Sequence, residues 1–131
     1  MIKVICAILE KQGHVLIAQR SKHMPEPLQW EFPGGKLEPN EQEQECLIRE
    51  MQEELALAIL PVTRLEPVVY TYPTKTILLI PYICRYVGGN VKLAEHQEYA
   101  WVLPQDLPSY DWCPADVPVV AQYLQLKQTA S

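Results

Sequence analysis

The sequence has no excess of positive charge, no long apolar run and no paired-cysteine spacing. Its 11 Lys and Arg stand against 16 Asp and Glu, a formal net charge of −5. A net-acidic chain lacks the electrostatic footprint of a nucleic-acid binder, so no nucleic acid polymer is expected as a partner. No stretch approaches the ~20 uninterrupted apolar residues of a membrane span, and no membrane partner is expected. The start, Met1-Ile2-Lys3-Val4-Ile5-Cys6, lacks the layout of a secretory signal and enters apolar alternation at once. Cys6, Cys46, Cys84 and Cys113 share no C-x-x-C spacing. That argues against a zinc knuckle and for buried, reduced thiols in a cytoplasmic protein. His14, His23 and His96 accompany no nucleophile motif, so neither a Ser-His-Asp nor a Cys-His arrangement is in view.

What is present is a globular balance, 48% hydrophobic and 21% charged over 131 residues. At ~150 residues per domain this is one domain, 1–131, long enough to bury ~68% of its unfolded surface. Ile2 to Glu10 and Val15 to Arg20 read as strands around a turn at Lys11–His14. Ser21 to Gln29 contains Pro25 and Pro27 and reads as a loop. Trp30-Glu31-Phe32 is a short strand stopped by Pro33-Gly34-Gly35, and Asn40 is placed to cap a helix over Glu41 to Leu57. Val62 to Tyr72, Thr76 to Val87 and Tyr99 to Leu103 read as strands, with Pro81 marking a bulge or an edge. Asp116 to Lys127 reads as a second helix. Strands outnumber helices, and the order of elements suggests an α/β protein with a mixed sheet covered by two helices.

The charge is not spread evenly. Residues 38–54 hold seven acids and one base, whereas the rest of the chain holds nine acids and ten bases. At ~100° per residue, Glu50, Glu53 and Glu54 share one sector of a helix, with Glu43 two turns earlier beside them. Leu47, Ile48, Met51 and Leu55 fall in a separate apolar stripe. Like charges three and four residues apart destabilise a helix by ~0.2–0.5 kcal/mol per pair. A divalent cation reverses that sign, and Mg²⁺ takes hard oxygen ligands while bridging to phosphates. Upstream, the glycines of Pro33-Gly34-Gly35 allow close approach of backbone to a ligand. A glycine turn between a strand and a helix carrying clustered glutamates looks like a metal–phosphate site.

With these residues in hand, the sequence resembles the Nudix hydrolase family. The family box G-x5-E-x7-R-E-U-x-E-E-x-G-U, with U a bulky apolar residue, is matched by Gly35, Glu41 and Arg49-Glu50-Met51-Gln52-Glu53-Glu54-Leu55-Ala56-Leu57. Ala56 replaces the second glycine of the box, which puts the left-handed end of the helix in doubt. Trp30-Glu31-Phe32-Pro33-Gly34-Gly35-Lys36, Ala18-Gln19-Arg20 and Glu95-His96-Gln97-Glu98-Tyr99-Ala100-Trp101 extend the likeness to the MutT-like branch. The resemblance implies an α/β/α sandwich with a mixed sheet. It also implies Mg²⁺-dependent hydrolysis, with Mn²⁺ as an alternative ion, of a nucleoside diphosphate linked to another group.

Carried over by position, Glu50, Glu53, Glu54 and the carbonyl of Gly34 are the implied metal ligands, and Arg49 the implied orienter of a catalytic glutamate. Glu95 matches an additional ligand or base, and Glu98, three residues on, is its alternative. Catalysis is thus assigned to Glu53, Glu54, Arg49 and Glu95. Arg20 and Lys36 are placed to meet phosphates. The implied reaction is attack on the β-phosphorus of a nucleoside triphosphate, releasing monophosphate and pyrophosphate.

The base is to be read by Pro114-Ala115-Asp116-Val117-Pro118. An ionised Asp116 only accepts hydrogen bonds, from cytosine N4–H₂ or from guanine N1–H and N2–H₂ alike; it is also placed to cap the second helix. Phe32, Tyr72, Tyr82 and Trp112 are the candidates for stacking on the base. The expected substrate is CTP, dCTP or a damaged nucleotide; 8-oxo-dGTP is the alternative within the class. A catalytically silent nucleotide-binding module is the alternative outside it, and a monomer or a homodimer fits either.

Overall fold

A computed structural model of the chain describes residues 1–129. The order of elements is β1 (Ile2–Lys11), β2 (His14–Gln19), β3 (Trp30–Glu31), β4 (Gly34–Lys36), α1 (Glu43–Leu55), β5 (Ala58–Arg64), β6 (Val68–Tyr72), β7 (Lys75–Gly88), β8 (Glu98–Val102) and α2 (Val117–Thr129). Short 3₁₀ turns at Pro104–Ser109 and Pro114–Asp116 precede α2.

β1 organises the sheet. It runs parallel to β7 from Ile2↔Ile77 to Glu10↔Arg85, and antiparallel to β4 and β2 on its other edge. β2 in turn pairs antiparallel with β3 and β8. The sheet is therefore mixed. Ile5 to Leu9 are all buried, as a strand covered on both faces requires. Alternation sends Cys6 and Ile8 into one core with Val119, Val120 and Tyr123 of α2. Ile5, Ala7 and Leu9 enter the other with Leu47, Met51 and Leu55 of α1. That partition is the expected α/β/α sandwich.

Four local expectations are corrected. The helix begins at Glu43, not Glu41, because Asn40 is left-handed (φ 65) and cannot cap. Gln42 is the cap residue, and the Glu45 carboxylate accepts its backbone N–H at 3.1 Å. Ile48 is 44% exposed, whereas Cys46 is buried, so the buried stripe is rotated toward Gly35 and Lys36. The segment Val62–Tyr72 is two strands, not one. It breaks at Leu65–Pro67, where Leu65 N–H donates to the Pro81 carbonyl and Glu66 N–H to Gln122 Oε1. Pro81 accordingly lies in a central strand rather than at an edge. Its missing N–H faces the gap where β5 gives way to β6, beside the register shift at Pro61/Thr63, so no ladder bond is lost.

At the end of α1, Ala56 keeps the left-handed conformation (φ 59, ψ 34), and Leu57 N–H donates to the Met51 carbonyl. The last helical carbonyls do not stay bare. Lys92 N–H donates to Leu55 O and Ala94 N–H to Glu54 O, which binds the 92–97 loop across the end of the helix.

The four cysteines are free and buried. Among the described residues no helix is long and apolar enough to cross a membrane.

Candidate active site

At Gly34 and Gly35, β4 lies so close to its neighbours that no side chain fits. A Cβ on Gly34 would sit 1.9 Å from the Ile5 carbonyl oxygen, and one on Gly35 would sit 2.2 Å from the Glu50 carboxyl carbon. The glycine pair thus brings the α1 carboxylate flush against the strand. Arg49 holds the arrangement from outside. Its Nε and Nη2 grip Glu41 at 2.8 and 3.0 Å, and its Nη1 reaches Glu50 Oε1 at 2.9 Å and Glu53 Oε2 at 3.2 Å. The Arg49 hydrogen bonds hold the Glu41 carboxyl down to about 2. Burial raises Glu50 above its ordinary value against the pull of Arg49. Glu53 points outward, its side chain 59% exposed.

Glu54, one turn beyond Glu50, faces a cavity of about 240 Å³. Burial pushes its carboxyl up to about 7, aided by Glu50, Glu31 and Glu95 and opposed by His96. Arg20, Phe32, Gly34, Lys36, Tyr72 and Asp116 line the same cavity, so these residues singled out from the sequence converge there with Glu54. Met24 and Glu26 close one side, and Tyr72, Ile77 and Leu79 form the β6–β7 wall. Glu50 and Arg49 stand behind Gly35. Glu95 is exposed in the loop pinned across α1, beside buried His96. Glu98 starts β8 opposite Gln19, and its carboxylate accepts its neighbour's N–H from Tyr99.

Several expected roles change. Arg20 is not a free phosphate ligand, because its Nη1 is paired with Glu31 Oε1 at 2.9 Å and its Nε donates to the Pro25 carbonyl at 2.6 Å. Asp116 does not cap α2. Its Oδ2 accepts the backbone N–H of Phe32 at 2.9 Å across the cavity wall. Burial pushes Asp116 well above the ordinary carboxylate range, with Glu31 adding to the shift. In its protonated form the acid offers a donor beside an acceptor rather than acceptors alone.

Of the stacking candidates, Phe32 and Tyr72 reach the cavity. Trp112 packs against Phe32 at 4.8 Å and donates its Nε1–H to Leu107 O. Tyr82 belongs to the α1 face, donating its hydroxyl to Glu43 at 2.7 Å.

The expected ligand set of Gly34, Glu50, Glu53, Glu54 and Glu95 is not gathered into a preformed cage. Among the described residues no group of three His, Cys, Asp or Glu stands ready to hold a metal ion. The donors still suit a hard ion: they are carboxylates and one backbone carbonyl, two of the carboxyls, Glu50 and Glu54, carry elevated pKa values in a crowd of like charge, and phosphate oxygens and waters complete such a shell.

Sequence reasoning missed Glu31 and His96. Glu31 takes Arg20 on Oε1 and His96 Nε2 on Oε2 at 2.8 Å. Their signals were faint: a charge between Trp30 and Phe32, and a histidine next to a loop glutamate.

A mixed sheet between two helices, with the Glu54 carboxylate of one helix turned toward a cavity walled by both hydrogen-bonding and apolar groups, is the frame of a phosphoric-anhydride hydrolase. The chain belongs to the Nudix family: the NUDIX domain matches residues 1–123. It is similar to the CTP pyrophosphohydrolase of Escherichia coli (strain K12), 32% identical over 127 residues, 97% of this chain and 94% of that one. The 8-oxo-dGTP diphosphatase of Proteus vulgaris is 42% identical over 76 residues, 58% of this chain and 65% of that one. The solution structure of the E. coli ORF135 protein matches with a TM-score of 0.89 at 31% identity, covering 98% of this chain and 92% of that one. The protein is accordingly a hydrolase acting on nucleoside triphosphates.

Proposed function

We propose that this protein, as a single domain, is a Mg²⁺-dependent pyrophosphohydrolase that releases monophosphate and pyrophosphate from CTP, dCTP or a damaged nucleotide. The observation that carries the reading is that Glu54 and Asp116 face one cavity from opposite layers of the sandwich. Glu54 serves the phosphate chain and Asp116 the base.

Glu50, Glu53, Glu54, the Gly34 carbonyl and, from the loop, Glu95 are the residues to hold Mg²⁺ or Mn²⁺. Bound there, the ion supplies neutralisation of phosphate charge and a more acidic water. Arg49 fixes the direction of Glu50. Glu54, with its carboxyl near 7, suits a group that accepts a proton from water at neutral pH. Lys36 lines the cavity and adds positive charge for the phosphates.

A neutral Asp116 carboxyl offers an O–H donor beside an acceptor. Cytosine N3 and N4–H₂ complement that pair. Guanine O6 and N1–H complement it too, and the Proteus relative supports 8-oxo-dGTP as the second reading.

The test is turnover of canonical, oxidised and methylated triphosphates with Mg²⁺ in ¹⁸O-labelled water. Monophosphate plus pyrophosphate, with the label in pyrophosphate, is the expected product pair. Release of inorganic phosphate, or label in the monophosphate, contradicts the reading.

A further inference from the structure

Arg20, Glu31, His96 and Glu54 form a file of polar side chains along the cavity. It begins on the 20–29 loop, where Arg20 Nε donates to Pro25 O. It passes through both oxygens of Glu31 to the ring of His96. The side chain of His96 is only 2% exposed. With Nε2–H donated to Glu31, Nδ1 is buried without a hydrogen-bond partner and stands 3.9 Å from Glu54 Oε2. A buried polar atom left unpaired is unfavourable and requires a use.

The backbone holds the ring in that place. Ala94 N–H is tied to Glu54 O at 3.1 Å, and Gln97 N–H to Gln19 O at 2.9 Å. The loop is thus pinned to α1 on one side of His96 and to β2 on the other. A shift of about 1 Å by Glu54 closes the gap to hydrogen-bond range, with either a carboxyl O–H donating to Nδ1 or an imidazolium Nδ1–H donating to the carboxylate.

We propose that His96 is a positioning residue, clamped by Glu31, whose imidazole sets the place of Glu54 and links it to the Arg20 side of the cavity. The role in turnover rests on the function proposed above; the mechanical link does not. When a nucleotide seats against the 20–29 loop, displacement of Arg20 and Glu31 reaches Glu54 through a rigid ring. The same file explains why Arg20 is committed to Glu31 rather than left free for phosphates.

The test uses the intact protein, with ¹³C-labelled glutamate and the Glu54 carboxyl resonance assigned by its loss in Glu54→Gln. Glu31→Gln is expected to move that resonance further in the parent protein than in a His96→Gln background, where only the direct charge effect of Glu31 remains, and equal movement in both overturns the link. His96→Gln keeps a group near the ring Nε2 and loses the one near Nδ1. It is expected to lower kcat by ~10–100-fold while KM moves less than ~3-fold. His96→Asn, which keeps a polar atom near Nδ1, is expected to recover part of that loss.

A Glu54 resonance indifferent to Glu31→Gln or His96→Gln overturns the link, and so does a kcat within two-fold of the parent for folded His96→Gln. If no triphosphate is turned over, the proposed function falls, while the resonance still decides on His96. If the His96 variants do not fold, the His96 Nδ1 resonance of ¹⁵N-labelled protein decides the link, and its indifference to Glu54→Gln overturns it.

Discussion

Arg49 and Glu41 are joined by two hydrogen bonds, Nε to Oε2 at 2.8 Å and Nη2 to Oε1 at 3.0 Å. The pair ties the loop ahead of α1 to the face that carries Glu50, Glu53 and Glu54. It also makes acid stability measurable at one residue. Glu41 has a folded pKa of about 2 against an ordinary 4.5. The folded state binds the proton less readily, so this contribution is complete above about pH 4.5 and is lost as pH falls through 2. Glu41→Gln should be less stable than the parent at pH 6, with the gap closing toward pH 2. Chemical denaturation across that range checks it; a pH-independent gap rules out the ionic origin.

Glu54 gives the opposite sign. Its carboxyl is raised to about 7, so its neutral form suits the fold. The stability it contributes is complete below about pH 4.5 and is lost as pH rises through 7. Without divalent ions, Glu54→Gln should therefore be more stable than the parent at pH 8 by roughly 1–2 kcal/mol, less than the full shift implies because a quarter of the side chain meets solvent. The two should converge near pH 4. The same variant should lose at least ~100-fold in turnover, as should Glu53→Gln. Near-parental turnover in both variants would remove the carboxylates from the chemistry.

Because the carboxylates form no closed cage, Mg²⁺ alone should raise the melting temperature only slightly. Mg²⁺ with a non-hydrolysable triphosphate should raise it by more than the two separate shifts combined, since phosphate oxygens complete the shell. Melts at constant ionic strength test this, and simple additivity would contradict it.

Ala56 is left-handed where glycine is the unstrained choice. Ala56→Gly should stabilise the protein by about 0.5–1 kcal/mol, the relief of side-chain strain exceeding the added freedom of the unfolded chain. Turnover should be unchanged to within about two-fold. Denaturant midpoints decide it, and a destabilised variant would refute the strain.

Asp116→Asn should alter base preference rather than phosphate chemistry. If the amide oxygen keeps Phe32 N–H, an NH₂ group replaces the mixed donor and acceptor in the cavity. The mismatch costs ~1–3 kcal/mol against a base edge offering both a donor and an acceptor, about one to two decades in relative kcat/KM. Relative kcat/KM for CTP, dCTP, dGTP and 8-oxo-dGTP checks this. An equal fall for all four means that the base is read elsewhere.

The chemistry-bearing helix was legible because its message is local. Glu50, Glu53 and Glu54 share a face through helical period alone, and Gly34-Gly35 announces close packing without naming the partner. The end of α1 was legible in part: Ala56 flagged a possible change of geometry, and only the structure shows that the left-handed turn survives. The start of α1 was misread at Asn40, because turn and cap residues are the same residue types, and φ decides between them.

Composition and period alone determined that the chain has an α/β fold with one acidic helix. Those properties follow from backbone geometry and from contacts within one or two turns. Everything that depends on distant partners was decided by the tertiary structure. Asp116 meets Phe32 N–H, Arg20 is spent on Glu31, Tyr82 leaves for the α1 face, and His96 is buried against Glu54. The physical reason is that the parallel pairing of β1 with β7, and the loop bound across the end of α1, join segments far apart in the chain. What each of those side chains is, acid or acceptor, free cation or clamp, depends on burial and on charges that no local pattern contains.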